Sequence, residues 1–99
     1  MIYLDSGATT LEKPPAVARA MAQAVGEMSS PGRGNYPASQ KAARTAYDCR
    51  EAAAELFHVP APEQVIFTCN ATHGLNIAIR TLVRPGCRVA VSGYEHNAV

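Results

Sequence analysis

The spacing of apolar residues near the start of the chain predicts an amphipathic helix. Val17, Met21, Val25 and Met28 recur at the interval of one helix face on an alanine-rich segment. The Pro14-Pro15 pair before them suits the first turn, where a missing N–H costs nothing. A methionine-containing stripe of this kind is typical of a face packed in a core, so we expect these side chains to be buried.

A longer helix is predicted from about Ser39 to Phe57. One face carries the small and apolar side chains, and the charged side chains lie mostly elsewhere, as on a solvated face. The proline- and glycine-containing stretch 29–37 separates this helix from the first, and Pro60-Ala61-Pro62 ends its pattern. The apolar face consists of Ala43, Ala46, Tyr47, Ala53, Leu56 and Phe57.

The last third of the chain has the pattern of one β-α-β unit. Residues 65–68 and 88–92 are rich in β-favouring side chains, and a helical pattern covers 72–83 between them. Arg84-Pro85-Gly86 provides the stop. Two such strands would pair in parallel through a right-handed crossover. The predicted fold class is therefore α/β, with this unit as the start of a larger, mostly parallel sheet that follows the N-terminal helices.

The junction between the first predicted strand and its helix is a candidate anion site. Thr68, Asn70 and Thr72 are polar residues where a helix begins, and the first N–H groups of a helix have no intrahelical partner. The helix dipole also favours negative charge there. A phosphate-binding turn competes with a simpler interpretation, in which Asn70 is an ordinary N-cap.

A second candidate group follows the second predicted strand. In open α/β sheets, ligands bind outside the carboxyl ends of the strands, which would place His96 on the same rim as the phosphate turn. An aromatic imidazole near a phosphate site suits a phosphorylated aromatic ligand. The alternative is a surface or capping histidine with no ligand.

These residues together resemble the class V aminotransferases, and specifically their cysteine desulfurase branch. The resemblance covers essentially the whole chain through four ordered motifs: Leu4-Asp5-Ser6-Gly7-Ala8-Thr9-Thr10; Lys13-Pro14; Phe67-Thr68-Cys69-Asn70-Ala71-Thr72 with Asn76; and Glu95-His96-Asn97-Ala98-Val99. It implies a fold-type I domain that carries pyridoxal 5'-phosphate and removes sulfur from cysteine, leaving alanine. It also implies an incomplete N-terminal segment over 1–99. In that division, 1–37 form an arm, helix and loop, and 38–99 begin the large cofactor domain.

The resemblance assigns roles to four residues of this sequence. The backbone N–H groups of Ala71 and Thr72, with the Thr72 hydroxyl, would hold the cofactor phosphate. His96 would stack on the pyridine ring and assist proton transfer. Arg33 resembles an arginine that reaches toward the substrate or a partner subunit's site. The turn over residues 5–10 resembles a loop that borders the substrate pocket.

The sequence departs from the family pattern at the same sites. His73 replaces the usual Glu after the phosphate threonine, and Asn70 replaces a frequent Gly. The first loop has Asp-Ser-Gly-Ala where Asp-Asn-Ala-Ala is usual. Backbone donors survive these changes. The role of His73 is open, and a solvent-facing residue in the first helical turn is the simpler interpretation.

The groups that would perform the chemistry are not among these residues. The resemblance places the Schiff-base lysine and the nucleophilic cysteine downstream, since Lys13 and Lys41 have no site-like setting and no cysteine matches by position. We expect the 99 residues alone to be inactive.

Alternatives for the parent protein are a selenocysteine lyase or another class V transaminase. A stand-alone, non-catalytic α/β binding module or a decayed gene fragment would account for the same residues without chemistry.

Composition narrows the choice of partners. The formal net charge is +1 with scattered basic residues, which gives no electrostatic footprint for nucleic acid. No apolar run approaches the ~20 residues of a membrane span. The three cysteines have no metal-ligand spacing and fit a reducing cytoplasm. By resemblance, the partners are an amino-acid substrate such as L-cysteine, a second subunit in a homodimer and a sulfur-acceptor protein.

Overall fold

A computed structural model describes all 99 residues, with three α-helices and no β-strand. Helix α1 covers Pro15–Glu27, α2 covers Pro37–Phe57 and α3 covers Ala71–Leu82, with a 3-10 turn at Pro62–Gln64. The chain divides into two compact units, Met1–Gln64 and Val65–Val99. Each unit is described by itself below.

Helix α1 forms where the sequence predicts it, but its apolar face is not buried. Pro15 occupies the first helical position, where its fixed φ and absent N–H suit the helix. Val25 is 88% exposed and Met21 is also exposed, while Met28 is half-buried. The expectation that this stripe lies in a core is wrong, because no element of the first unit covers this face.

Helix α2 supplies the small core of the first unit. It begins at Pro37 and ends at Phe57, after which His58 adopts the left-handed conformation with φ of 54°. The N–H of Val59 then returns to the carbonyl of Ala54 at 2.8 Å, as in a Schellman-type helix end. Ala54 is the single buried hydrophobic residue of the protein, and Leu56 and Phe57 remain exposed. The helix prediction is confirmed, but its apolar face is largely in contact with solvent.

The second unit is organised around α3. The predicted helix over 72–83 is confirmed within one residue at each end. Asn70 caps its start, and the N–H of Val83 closes its end by donating to Ile79 O at 2.8 Å. Leu75, Ile77 and Leu82 are exposed on this helix.

The predicted α/β fold class is wrong for this structure, because segments 65–68 and 88–92 form no strand and no sheet. The apolar side chains of Ile66, Phe67, Val89 and Val91 are exposed instead. Local residue preference favoured strands here, yet a strand exists only when its N–H and C=O groups pair with a neighbour. Parallel pairs are stable when both faces are covered, and two short segments without cover do not meet that condition.

The helices are also too short or too polar to cross a bilayer, and no helix in the chain meets the length and hydropathy that a membrane span requires.

Candidate functional site

The start of α3 is closed on one side by an asparagine cap. The Asn70 side chain accepts a hydrogen bond from His73 N at 2.8 Å, and its carbonyl accepts one from Gly74 N at 3.1 Å. The N-cap interpretation of Asn70 is thus confirmed. The cap satisfies the third and fourth N–H groups of the helix and leaves the first two to be accounted for.

Those first two N–H groups belong to Ala71 and Thr72, and neither has a hydrogen-bond partner in the protein. The Thr72 hydroxyl is likewise unpaired, and both residues are exposed. Three donors therefore stand at the positive end of the α3 dipole. Such a set can bind a phosphate, so the residues fit the phosphate group of the cofactor that the sequence suggested.

The turn before α3 is held by side chains from both of its ends. Thr68 Oγ1 donates to Asn70 O at 2.9 Å, and Cys69 N donates to the His73 imidazole at Nδ1 at 3.3 Å. Gly74 permits this packing, because a Cβ at that position would lie 3.3 Å from Thr68 Oγ1. His73 is exposed, as the simpler interpretation held, yet its ring contributes to the turn. Its accepting Nδ1 places the proton of the neutral ring on Nε2.

His96 lies in a turn near the end of the same unit. Its Nδ1 accepts a hydrogen bond from Ala98 N at 3.1 Å, and its carbonyl accepts one from Val99 N at 2.9 Å. The imidazole is exposed, with Nε2 free to donate. No hydrogen bond joins His96 to Ala71 or Thr72.

Arg33 belongs to the first unit, in the loop between α1 and α2. It is exposed, and its guanidinium makes no hydrogen bond or ion pair. Two residues later the Asn35 side chain accepts from Gln40 Nε2 at 2.5 Å, which ties the loop to the first turn of α2. Arg33 is therefore a free cation on an anchored loop.

The turn over residues 5–10 is also ordered by local hydrogen bonds. Ala8 N donates to Asp5 O at 3.1 Å, and the Tyr3 hydroxyl donates to Thr9 O at 2.7 Å. Lys13 Nζ donates to Thr10 O at 2.6 Å, which engages one of the two lysines. The other, Lys41, forms an ion pair with Glu27. Both ammonium groups therefore have a partner within the first unit.

The cysteines and acidic residues form no metal site. Cys49, Cys69 and Cys87 are free and exposed, and no group of three or more potential metal ligands comes together. Cys69 lies next in sequence to the turn that carries the candidate phosphate donors. Its backbone N–H, rather than its thiol, donates the hydrogen bond to the His73 imidazole.

Comparison with known proteins identifies the family. A model of the class-V aminotransferases matches residues 2–99. The chain belongs to the class-V aminotransferase family. It is 32% identical over 102 residues to a probable cysteine desulfurase of Pseudomonas aeruginosa and 30% identical over 103 residues to one of Vibrio cholerae. It is 33% identical over 99 residues to a probable cysteine desulfurase of Methanothermobacter thermautotrophicus. No solved structure is significantly similar to it.

These matches cover nearly all of the chain but only a part of each relative. The alignments include 99% of this chain and 25% of the Pseudomonas and Vibrio proteins, and 98% and 24% for the Methanothermobacter protein. This class-V aminotransferase chain therefore spans about a quarter of the length of its curated relatives. The predicted resemblance to the family is confirmed.

Two features of the structure were not found from the sequence. His73 stands where the family pattern has Glu, and its imidazole accepts a hydrogen bond from the backbone N–H of Cys69, four residues earlier. A polar residue three positions after the cap Asn70 is the sequence signal that could have indicated such a contact. Ser39 is the most buried side chain of the protein and bonds to Ser30, nine residues earlier. No periodicity signals a contact of that kind.

Proposed function

We propose that this class-V aminotransferase chain is the phosphate-holding part of a pyridoxal-phosphate enzyme of the cysteine desulfurase type. The substrate would be L-cysteine, which would lose its sulfur and become alanine. The observation that carries the proposal is the pair of unpartnered N–H groups of Ala71 and Thr72 beside a free Thr72 hydroxyl. The names of the relatives from Pseudomonas and Vibrio support the reaction class.

Each residue of the candidate site has a task in this proposal. Pyridoxal phosphate supplies, when bound, the electron sink that such chemistry requires. Ala71 and Thr72 hold the phosphate through charge-assisted hydrogen bonds, which are stronger than neutral ones. His96 would stack on the pyridine ring and could donate a proton from Nε2. Arg33 recognises a carboxylate of the substrate or at a partner subunit's site.

The proposal extends to the surroundings of the enzyme. We place the parent protein in the cytoplasm as a homodimer that passes sulfur to an acceptor protein, as the family resemblance implies. The 99 residues alone are expected to be inactive, because the family resemblance places the Schiff-base lysine and the nucleophilic cysteine outside the matched region. Incubation with L-cysteine and pyridoxal phosphate, followed by an alanine assay, tests this expectation; alanine formation at an enzymatic rate would refute it.

The phosphate assignment can be tested on the 99-residue chain by NMR. The probes are pyridoxine 5'-phosphate and pyridoxine, which share the ring, lack the aldehyde and therefore do not react with lysines. We expect the phosphorylated probe alone to shift the Ala71 and Thr72 amide resonances. Equal shifts with both probes, or shifts elsewhere only, would reject the phosphate site.

A matched pair of variants separates the side chain from the backbone. Thr72→Ala removes a hydroxyl that would donate to a charged group, an interaction of about 1.5–3 kcal/mol, so the dissociation constant should rise by roughly ten- to a hundredfold. Thr72→Ser keeps the hydroxyl and should bind as the wild type does. Unchanged affinity in Thr72→Ala would leave only the backbone donors in the proposal.

The proposed reaction class can be tested by sequencing the coding DNA. Sequencing beyond codon 99 should reveal an open frame that supplies an aspartate, a lysine and a later cysteine for the chemistry. A stop codon directly after Val99 would contradict the enzyme proposal for this protein. In a longer product, preference for selenocysteine over cysteine would identify a selenocysteine lyase instead.

A further inference from the structure

The loop between α1 and α2 is closed around a buried serine. Ser39 is 1% exposed, in a protein whose other buried residue is Ala54. Its hydroxyl donates to the carbonyl of Ser30 at 2.9 Å, across nine residues of chain. A buried hydroxyl with its hydrogen bond satisfied fixes the position of its acceptor, because leaving either group unpaired would be costly.

A second set of contacts closes the same loop one residue earlier. The hydroxyl groups of Ser29 and Tyr36 lie 2.6 Å apart, in hydrogen-bond contact. Ser29 N also donates to Ala38 O at 3.3 Å. We call Ser29, Ser30, Tyr36 and Ser39 the serine–tyrosine clasp. It joins both ends of the segment that carries Arg33.

The clasp also reaches the residue next to Arg33. A Cβ built on Gly34 would lie 2.5 Å from Cε1 and 2.7 Å from Cδ1 of the Tyr36 ring. The ring therefore rests directly on the Gly34 backbone, and only glycine allows this approach. The Gly34 residue that follows Arg33 therefore lies against the Tyr36 ring.

We propose that Ser39 and Tyr36 are positioning residues that fix the loop backbone at Arg33. Through the clasp they hold the backbone of residues 29–36 in one conformation, so that the ordering cost of the loop backbone is already met when the Arg33 guanidinium binds a carboxylate. The proposal rests on the anion-recognition role given to Arg33 above. The clasp itself can be tested independently of that role.

Trypsin cleavage at the Arg33–Gly34 bond reports on the clasp in the 99-residue chain. Proteases cut loops that open, and the wild-type bond should be cut slowly relative to the Arg88–Val89 bond of the other unit. Ser39→Ala and Tyr36→Phe should each raise the Arg33–Gly34 rate by about five- to tenfold, the effect of losing one hydrogen bond. The rate at Arg88–Val89 should not change.

The adjacent serine provides the control variant. Ser30 contributes only its carbonyl to the clasp, so Ser30→Ala should leave cleavage at Arg33–Gly34 unchanged. If Ser39→Ala fails to fold, the exposed Tyr36→Phe variant carries the test. Equal cleavage in the wild type and Tyr36→Phe would overturn the proposal.

A relaxation measurement separates positioning from a general effect on stability. Nitrogen-15 order parameters of the Arg33 and Gly34 backbone N–H groups should fall in Ser39→Ala and Tyr36→Phe, while those in the middle of α2 stay constant. Ser39→Cys, which keeps a weak donor of similar size, should partly restore them. A uniform loss of order along α2 would show a merely structural role and refute the proposal. Failure of the pyridoxine phosphate test would leave these results intact, so the two failures are distinguishable.

Discussion

The polar groups at the start of α2 are hydrogen-bonded, whereas those at the start of α3 are partly unpaired. In the loop before α2 and the first turn of that helix, the hydroxyl groups of Ser29, Tyr36 and Ser39 are all paired, and that of Ser39 is buried. Before α3, local hydrogen bonds form the turn but leave the N–H groups of Ala71 and Thr72 without partners. A paired loop can hold a neighbouring side chain in place, whereas unpaired donors at a helix start are available to a ligand. Under the two proposals above, the loop before α2 positions Arg33 and the start of α3 binds a phosphate.

Neither region packs on a large hydrophobic core, and the stability of the chain is where we expect the largest measurable effect. Because Ala54 is the single buried hydrophobic residue, we expect the 99-residue chain to unfold without a sharp thermal transition and to associate through its exposed apolar side chains. Calorimetry combined with sedimentation would measure both properties. A cooperative, reversible transition of a monomer would contradict the expectation.

The conformation of the loop between α1 and α2 can be disrupted at Gly34. Gly34→Ala should displace the Tyr36 ring, because the added Cβ would lie within 2.7 Å of two ring atoms and the exposed ring can move away. The loss of the Ser29–Tyr36 contact should follow, visible as a change in the tyrosine ring resonances.

The matched control for that change is Gly26→Ala in α1. No atom lies within 4 Å of a Cβ at Gly26, and alanine is the better helix former by about 1 kcal/mol. Helix content by circular dichroism should therefore rise in Gly26→Ala. Unchanged tyrosine ring resonances in Gly34→Ala would show that the Tyr36 ring does not rest on that backbone.

The stability of α3 can be reduced by removing its N-cap side chain. Asn70→Ala removes the acceptor for His73 N and should reduce the stability of α3 by about 1 kcal/mol. Hydrogen exchange of the α3 amides would accelerate accordingly, by about fivefold.

Asn76→Ala serves as its control in the same helix. The Asn76 side chain donates to Thr72 O at 2.9 Å, in a position where alanine has the higher helix propensity. Exchange in α3 should stay equal or become slower. If both variants accelerated exchange alike, the Asn70 side chain would not be acting as a cap.

The smallest effect concerns the ion pair that joins α1 to α2. The hydrogen bond from Lys41, aided by one from Gln23, lowers the pKa of the Glu27 carboxyl group below its ordinary value. A lowered pKa in the folded state means that the pair stabilises the first unit above the unfolded carboxyl pKa. The contribution is lost as the pH falls through the lowered pKa. Both side chains are substantially exposed, so the effect on stability is small.

Carbon-13 NMR of the Glu27 carboxyl group would measure this directly. Its titration midpoint should move upward in Lys41→Met, and less so in Gln23→Ala, which removes the second donor. An unchanged midpoint in Lys41→Met would show that the ion pair does not form in solution.

Much of the local structure and the family could be predicted from the sequence. The helices follow from periodicity and from punctuating residues such as Pro15 and Asn70, because these signals act within a few residues. Ordered motifs sufficed for the family, because they depend on residue identity and not on folding. The unpartnered N–H groups at the start of α3 were also predictable, since the first N–H groups of any helix lack partners within the helix.

The tertiary structure decided whether apolar patterns found partners. The segments 65–68 and 88–92 have strand-like composition but form no sheet, and the face with Val17, Met21 and Val25 is exposed. A sequence pattern records what a segment prefers, whereas a sheet or a core requires a second surface. The same reason explains why the contact of Ser39 with Ser30 was not foreseen. It depends on how a loop closes over nine residues, and closure is a property of the folded chain rather than of either serine.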